Sequence, residues 1–488
     1  MFIIEDNKKN VKKMNQTKKK SLRRITQLYM LLNPIYIFKR GKGVIGKFIS
    51  LRTQAFWIAT IAYSSAYIIR ETINSAVVSK EWTGAGSYLL FGTWAGMITI
   101  GYSVGKFFLG AAADRWNAKK VLAWSLISTA FLDILSLFLI EINLPRVAII
   151  TFFILGWIQG VVWPPIAKFF AFWFTKKIRV SSSAVWSLSH NLGSALTPIV
   201  VFFSTSWFFR FFGKTSSAIL PAGIAIILGI IALLFFVDIP QTEELPDIQD
   251  IPELIGDEPR HPHVELKTDK NKFQRYVEDI KYIVTNPIAI TLGIAQGSVG
   301  LIRFIPTYWI LLYLKSKFDF NLENSGYIYS IYQLMGIPGT IIAGIIADWL
   351  ITSKIPLIGG KERTRFMLFI MGIMLIPIIV FSIWHNSITT IVISVIGIGF
   401  MIYMPYHILG MTAIEMVSRK YAANISGLMG LITYMSIGLL NGILLGYLIE
   451  NKGGFIWIFI FYFVYWVIMV SSTFVAFTFE RNINKRKS

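Results

Sequence analysis

The chain has 488 residues and no cysteine, so disulfides and thiolate metal sites are excluded. Apolar residues make up 55% of it, mean hydropathy is +0.60, and charge collects in short clusters between long apolar stretches. That is the pattern of a polytopic membrane protein rather than of several soluble domains. The formal charge of +21 falls at the ends of apolar spans and not on one soluble face, so membrane topology accounts for it and nucleic acid does not.

The first 24 residues are basic and polar. They lack the apolar core of roughly 7–15 residues that precedes a signal cleavage site, so the N-terminus is expected to stay inside. From Leu22 to Phe38, Arg23 and Arg24 mix with Leu, Ile and Tyr, which suits either a helix lying on the anionic inner leaflet or a plain basic tail. About twelve spans of crossing length follow, at 55–79, 86–112, 119–140, 146–174, 181–206, 217–237, 287–314, 324–350, 364–384, 388–416, 421–447 and 454–479. Alternate loops carry Lys119/Lys120, Lys176/Lys177/Arg179, Lys361/Arg363/Arg365, Arg419/Lys420 and the Arg481–Lys487 tail, which puts both termini in the cytoplasm by the positive-inside rule.

Residues 238–286 are the longest hydrophilic stretch. They open acidic (Glu243, Glu244, Asp247, Asp250) and close basic and amphipathic (Lys270, Lys272, Arg275, Lys281), and read as a flexible cytoplasmic tether with a surface helix. The organisation expected is a tail at 1–54, a six-helix bundle at 55–237, the tether at 238–286, a second six-helix bundle at 287–479 and a tail at 480–488. The fold class is therefore an all-α membrane protein of twelve transmembrane helices in two pseudo-symmetric bundles, with a midplane site exposed by rocking of the halves.

The halves repeat two features at nearly one offset. Arg70 and Arg303 lie 303 − 70 = 233 positions apart, and Asp114 of Gly110-Ala-Ala-Ala-Asp114 and Asp348 of Gly344-Ile-Ile-Ala-Asp348 lie 348 − 114 = 234 apart. An arginine at the middle of a membrane helix disfavours insertion by roughly 2.5–3.5 kcal/mol, so one facing the bundle interior is by default functional. In the Gly-x-x-x-Asp ends, glycine lets helices approach closely and the acid, with Arg115 after the first, pairs with basic loops to latch one state. Simple helix packing by the glycines is the plainer reading of each motif alone.

Polar residues form stripes at helical spacing. The first span offers Tyr63, Tyr67, Arg70 and Asn74, the second Tyr102 and Lys106, and the fifth Ser183, Ser187, His190, Asn191 and Ser194. The seventh offers Gln296, Gly300, Arg303 and Thr307, the eighth Tyr329 and Gln333, the tenth Tyr403 and His407, and the eleventh Tyr434 and Asn441. Tyrosines in spans often anchor at interfaces, serines often satisfy their own backbone, and a lone intramembrane histidine is more often packed than a ligand. The cations differ, because their structural alternative is an ion pair and carboxylates are scarce. Asp114 and Asp348 end their helices, Glu415 is near a helix end, Asp133 is in a peripheral span, and Glu71, as the direct neighbour of Arg70, points elsewhere on the helix.

Three cations short of acids imply an unfilled anion site. Two arginines about 10 Å apart at an effective dielectric of about 20 repel by roughly 1.7 kcal/mol, and a dianion between them turns this into attraction on both sides. Loaded halves would close and empty ones would not, which gives exchange. A phosphate monoester fits, with a second pKa of about 6 and oxygens that accept arginine forks bidentately. No nucleophile–base pair or metal-ligand cluster suggests an enzyme, and no cofactor is expected.

Several stretches together resemble the organophosphate:phosphate antiporter family of the major facilitator superfamily: Tyr67-Ile-Ile-Arg70, Gly101-Tyr-Ser-Val-Gly-Lys106 through Asp114-Arg115, Gly156-Trp-Ile-Gln-Gly-Val-Val-Trp-Pro-Pro165, Ser189-His-Asn-Leu-Gly193, Gly336-Ile-Pro-Gly-Thr340 and Asp238-Ile-Pro-Gln241. The resemblance implies the major facilitator fold and phosphate binding by Arg70 and Arg303. It adds Lys106, His190 and the aromatics Tyr63, Tyr67, Tyr102, Trp163, Tyr403 and Tyr434 as substrate contacts. It further implies a plasma-membrane protein working as a monomer on a small phosphate ester, hexose-6-phosphate or glycerol-3-phosphate, in exchange for inorganic phosphate. The glycerol-phosphate pattern has a lysine after the first arginine and acids at the positions of Tyr308 and Gln333, whereas Glu71 follows Arg70 here. Ser187 and Gly300 leave extra room, which favours a bulkier sugar phosphate. A membrane sensor of external sugar phosphate and a facilitator of another organic anion are the alternatives.

Overall fold

A lipid-exposed backbone amide without a partner costs several kcal/mol, so an apolar crossing segment closes its hydrogen bonds within itself as a helix. The computed structural model describes residues 26–38, 43–79, 87–113, 117–251, 254, 281, 285–352, 363–417 and 422–487, and no strand occurs among them. The helices are α1 (Gly43–Ala76), α2 (Tyr88–Ala113), α3 (Ala118–Glu141), α4 (Ala148–Gln159, continuing as Trp163–Trp173), α5 (Lys176–Phe212) and α6 (Ser216–Phe235) in the first half. The second half holds α7 (Pro287–Phe318), α8 (Leu322–Thr352), α9 (Arg363–Ile383), α10 (Ile388–Val417), α11 (Ala422–Ser436, then π-helical Ile437–Leu444, then Leu445–Asn451) and α12 (Ile456–Lys487). Among the described residues, eight helical runs are long and apolar enough to cross a membrane, and one of them, Ser181–Phe235, contains both α5 and α6. With α1, α2 and α8 these make the twelve.

Local signals set several ends. Asn117 caps α3 by accepting from the Lys120 amide at 3.1 Å, and Asn286 caps α7 by accepting from Ile288 and Ala289, with Pro287 at the first helical position. Between α5 and α6, Gly213 turns at φ +53°, and the Glu141 carboxylate accepts from the Lys214 amide at 2.7 Å. That positive φ is one a side chain with a Cβ rarely adopts, which favours glycine there.

Helix pairing repeats from one half to the other. In the first half α1 packs on α5 and α6, α2 on α4, and α3 on α4 and α6. In the second, α7 packs on α11 and α12, α8 on α10, and α9 on α10 and α12, the same pattern displaced by six helices. The halves meet along α2–α11 and α5–α8, which are equivalent under that displacement, and α1 also touches α7 and α8. The chain is an all-α membrane protein of the major facilitator fold, two six-helix bundles related by pseudo-symmetry.

Helix alternation puts the starts of α1 and α7 at one face, the terminal face, and the ends of α1, α7 and α11 at the other, the far face. The far face is closed. Lys315 Nζ of α7 donates to the carbonyls of Val77 and Ser79 at 3.2 and 3.4 Å, and the Leu89 amide of α2 donates to Glu450 of α11 at 2.8 Å. Below them the α2 and α11 backbones almost touch: a Cβ on Gly92 would lie 2.2 Å from the Gly442 carbonyl oxygen, and one on Gly96 2.6 Å from that of Gly438. Gly438 and Gly442 lie in the π-helical stretch of α11.

The central segment departs from the sequence expectation. Its opening is not a loose tether, because Leu245, Ile248, Ile251 and Leu254 are buried against the terminal end of α1 and α4. Their spacing of three suits the 3₁₀ turns seen at Pro240–Glu243 and Ile248–Asp250. Lys168 pairs with Asp238 at 3.2 Å, and Lys47 Nζ donates to the Glu243 carbonyl at 2.8 Å. The 26–38 segment folds onto the same base, where Leu31 is buried and Thr53 and Ser50 donate to the carbonyls of Met30 and Ile37. Helix α1 starts at Gly43, twelve residues before the expected span, and this carries Arg52 into the base, buried with its guanidinium 5.5 Å from the Phe174 ring centroid. The remainder of the tether and the basic tail at 1–25 lie outside the described residues.

Gly92→Ala should prop the far face open. Because the chain has no cysteine, a single Thr99→Cys reporter measures this: a maleimide applied from the far face should label it several-fold faster in the Gly92→Ala background. Unchanged labelling would remove the glycine contact as the closing element.

Candidate functional site

Both intramembrane arginines turn inward. Arg70 is 6% exposed and Arg303 4%. The Arg70 guanidinium carbon lies 4.6 Å from the Tyr67 ring centroid and 4.0 Å from that of Tyr102, while Nε donates to Gln159 Oε1 at 2.8 Å. Gln159 is itself held by its Nε2, which donates to the Ala66 carbonyl at 3.0 Å. Arg303 lies 4.6 Å from the Tyr403 centroid, 5.2 Å from Tyr406 and 5.4 Å from Phe304, and its Nε has no hydrogen-bond partner. Its position on α7 is braced by Tyr332, whose hydroxyl donates to the Arg303 carbonyl at 2.7 Å.

The two boxes join into one closed circuit of side chains. On one side Tyr67 meets the His190 ring at 5.6 Å, and His190 stacks on Tyr403 at 6.0 Å. On the other, Tyr102 packs edge-on against Tyr434 at 4.8 Å, and the Tyr434 and Tyr406 hydroxyls are 3.3 Å apart. Starting from Arg70, the circuit runs through Tyr67, His190, Tyr403, Arg303, Tyr406, Tyr434 and Tyr102 back to Arg70, with residues from α1, α2, α5, α7, α10 and α11. Lys106 sits one helical turn from Tyr102 on the terminal side, with Nζ 5.8 Å from the Tyr434 centroid. Lys106, Tyr406 and Trp163 are partly exposed where the rest of the circuit is buried, so access is from the terminal face.

Among the described residues no carboxylate forms an ion pair with Arg70, Arg303 or Lys106. Glu71 needs a correction to the sequence expectation. It does not point away from the cavity: it lines a cleft too narrow for a water molecule, together with Arg70, Asn74, Thr99, Phe304 and Tyr308. Its carboxylate accepts from Asn74 Nδ2 instead of pairing with the adjacent arginine. Asp133, expected in a peripheral place, is buried beside Thr72 of α1.

The sequence-predicted residues Tyr63, Tyr67, Tyr102, Lys106, His190, Arg70, Arg303, Tyr403 and Tyr434 are brought together. Trp163 is set further out, reached through Trp186, which packs on Tyr63 at 4.5 Å and on Trp163 at 5.0 Å. Asn441 leaves the stripe altogether: its Nδ2 donates to the Leu301 carbonyl at 2.7 Å and its own carbonyl accepts from Trp309, so it binds α11 to α7. Gln333 links Tyr403, Tyr329 and Thr307 at 2.9, 3.0 and 3.3 Å. Asp114 and Arg115 lie outside the described residues, as do the side chains of Asp348 and His407.

Sequence reasoning missed Gln159, Tyr406 and Trp186. Gln159 stands inside the Gly156–Pro165 motif, at the last residue before α4 breaks, and that break was its signal. Tyr406 is three residues from Tyr403 on the same helical face. A hydrogen bond to a charged group contributes about 1.5–3 kcal/mol, so Gln159→Leu should destabilise the protein by about that much, measured as a lower unfolding midpoint of the purified protein. Gln159→Glu should spare stability, because it keeps an acceptor on the Arg70 guanidinium.

The Major Facilitator Superfamily profile matches residues 58–440. The chain is 29% identical over 422 residues to the glycerol-3-phosphate transporter of Bacillus subtilis strain 168, covering 83% of this chain and 88% of that one. It is 26% identical over 394 residues to a probable hexose phosphate transport protein of Chlamydia trachomatis, covering 78% and 82%. A bacterial homologue of the human lysosomal transporter Spinster, in an inward-facing and unoccupied conformation, superposes with a TM-score of 0.61 at 14% identity over 88% of this chain and 96% of that one. The chain belongs to the Major Facilitator Superfamily, within its organophosphate:phosphate antiporter family.

Proposed function

We propose that this protein carries a phosphate monoester across the plasma membrane in exchange for inorganic phosphate, by rocking of its two halves around the Arg70–Arg303 circuit. The observation that carries this is a pair of buried guanidiniums, one from each half, walled by tyrosines and without a carboxylate partner among the described residues. The likeness to glycerol-3-phosphate and hexose phosphate transporters supports an organophosphate cargo. A phosphoryl group between the guanidiniums replaces their mutual repulsion by attraction to both, with arginine forks and tyrosine hydroxyls as donors. Lys106 stands on the access side as a third cation, and the partly exposed Trp163, packed on the buried Trp186, lines the path to the terminal face. Asp114, Arg115 and Asp348 serve as the latch of the alternative state, at the terminal ends of α2 and α8.

The positive-inside charge pattern makes the terminal face cytoplasmic, so the far-face closure corresponds to an inward-open carrier. The empty circuit holds its two cations apart by rigid aromatic walls, and it closes at the terminal face only when an anion screens them. Exchange, rather than net flow, is the consequence.

In proteoliposomes loaded with phosphate, uptake of labelled glycerol-3-phosphate or glucose-6-phosphate should proceed, and it should fall to background in unloaded vesicles. Equal uptake into unloaded vesicles removes the exchange reading, and tight binding with no flux in either case identifies a sensor. Arg70→Lys and Arg303→Lys keep the charge but lose the planar fork, so each should weaken phosphate binding by about tenfold to a hundredfold. Near-normal affinity in both variants removes the arginine pair as the binding element.

A further inference from the structure

Glu71 is the one acidic side chain described in the cleft beside Arg70, and the phosphate reading gives it no task. It is 2% exposed, on α1, and surrounded by groups from both halves. From its own helix come Arg70 and Asn74, whose Nδ2 donates to the carboxylate. From α7 come Arg303 and Tyr308, from α8 Tyr329 and Tyr332, and from α10 Tyr403.

Two observations define what Glu71 can bind. The cleft it lines is too narrow to take even a water-sized guest, so neither a substrate group nor a hydrated cation enters in this state. Asn74 Oδ1, beside it, is a buried acceptor with no donor. A carboxamide can satisfy a carboxyl group in either form: as drawn, its N–H donates to the carboxylate, and turned by half a revolution, its oxygen accepts from the protonated acid. The guest that fits both the space and the vacant acceptor is a proton.

Resting on the phosphate reading above, we infer that Glu71 takes up one proton in step with a dianionic substrate, which links transport to protons. The proton comes from water and adds to a carboxylate oxygen, and no other bond changes. Ionised Glu71 cancels one of the positive charges carried by Arg70, Arg303 and Lys106, and protonated Glu71 cancels none, so the protonated state attracts a dianion more strongly. Dianion binding and protonation therefore favour each other reciprocally.

The test is calorimetric binding of glycerol-3-phosphate to the full-length protein in lipid nanodiscs between about pH 7.5 and 9, where the ester, with a second pKa of about 6, is already a dianion. Runs in buffers of different ionisation enthalpy count the protons. Wild type should take up close to one proton per ester bound, and its affinity should fall by up to about tenfold per pH unit across this range. Glu71→Gln should bind with neither proton uptake nor this slope. Binding without proton uptake in wild type overturns the linkage and leaves the phosphate reading standing. Proton uptake that persists in Glu71→Gln overturns the assignment to Glu71 and points to His190. Absence of binding at every pH overturns the phosphate reading and the linkage with it. The wild-type proton count stands by itself if the variant fails to fold.

Discussion

Two guanidinium groups in hydrocarbon need solvation, and this protein supplies it with aromatic faces instead of carboxylates. Inserting each arginine costs roughly 2.5–3.5 kcal/mol, and a desolvated cation over an aromatic ring recovers about 2 kcal/mol. Each guanidinium has two tyrosines within 5.2 Å of its centre, so the cost is largely offset without neutralising the charge. A carboxylate would have solvated the arginine better and filled the site. The π face holds the cation in place and leaves its N–H donors for an anion, which is why a tyrosine circuit, and not an ion-pair network, surrounds the centre of the interface.

Completing that circuit depends on how closely the halves approach. Tyr102 meets Tyr434 only because α2 and α11 run almost backbone to backbone at Gly92, Gly96, Gly438 and Gly442. The π-helical stretch of α11 offers carbonyls at that contact, and Asn441 and Trp309 tie it to α7, the helix that carries Arg303. Far-face closure and the shape of the tyrosine circuit are therefore one packing event. A change that separates the glycines also pulls Tyr434 away from Tyr102, which couples the conformation of the halves to the geometry seen by the ligand.

Much of the site was legible because membrane burial makes polar residues expensive, so their helical stripes stand out against apolar sequence. Arg70, Tyr67 and Tyr63 on one stripe, and Tyr102 with Lys106 on another, were readable from spacing alone. Gln159 was hidden in a motif dominated by glycine and tryptophan, where an amide carries no spacing partner. Glu71 was misplaced because adjacency on a helix separates two Cβ directions by about 100°, yet both directions open into the same narrow interface where three helices converge. The docking of Leu245, Ile248, Ile251 and Leu254 was missed because a period of three within a charged stretch resembles neither a span nor a strand.

The sequence by itself determined the class of fold, the twelve crossings, the internal duplication and the two cations that define the site, since each follows from the cost of placing polar groups in lipid. Only the tertiary structure decided which rings wall each cation, that Gln159 holds Arg70, that Tyr406 belongs to the circuit and Asn441 does not, and that Glu71 lines a cleft with Tyr308 of the other half. Those outcomes depend on which helix faces meet and how closely, and that is set by backbone contact at small residues far apart in the chain, which no local spacing encodes.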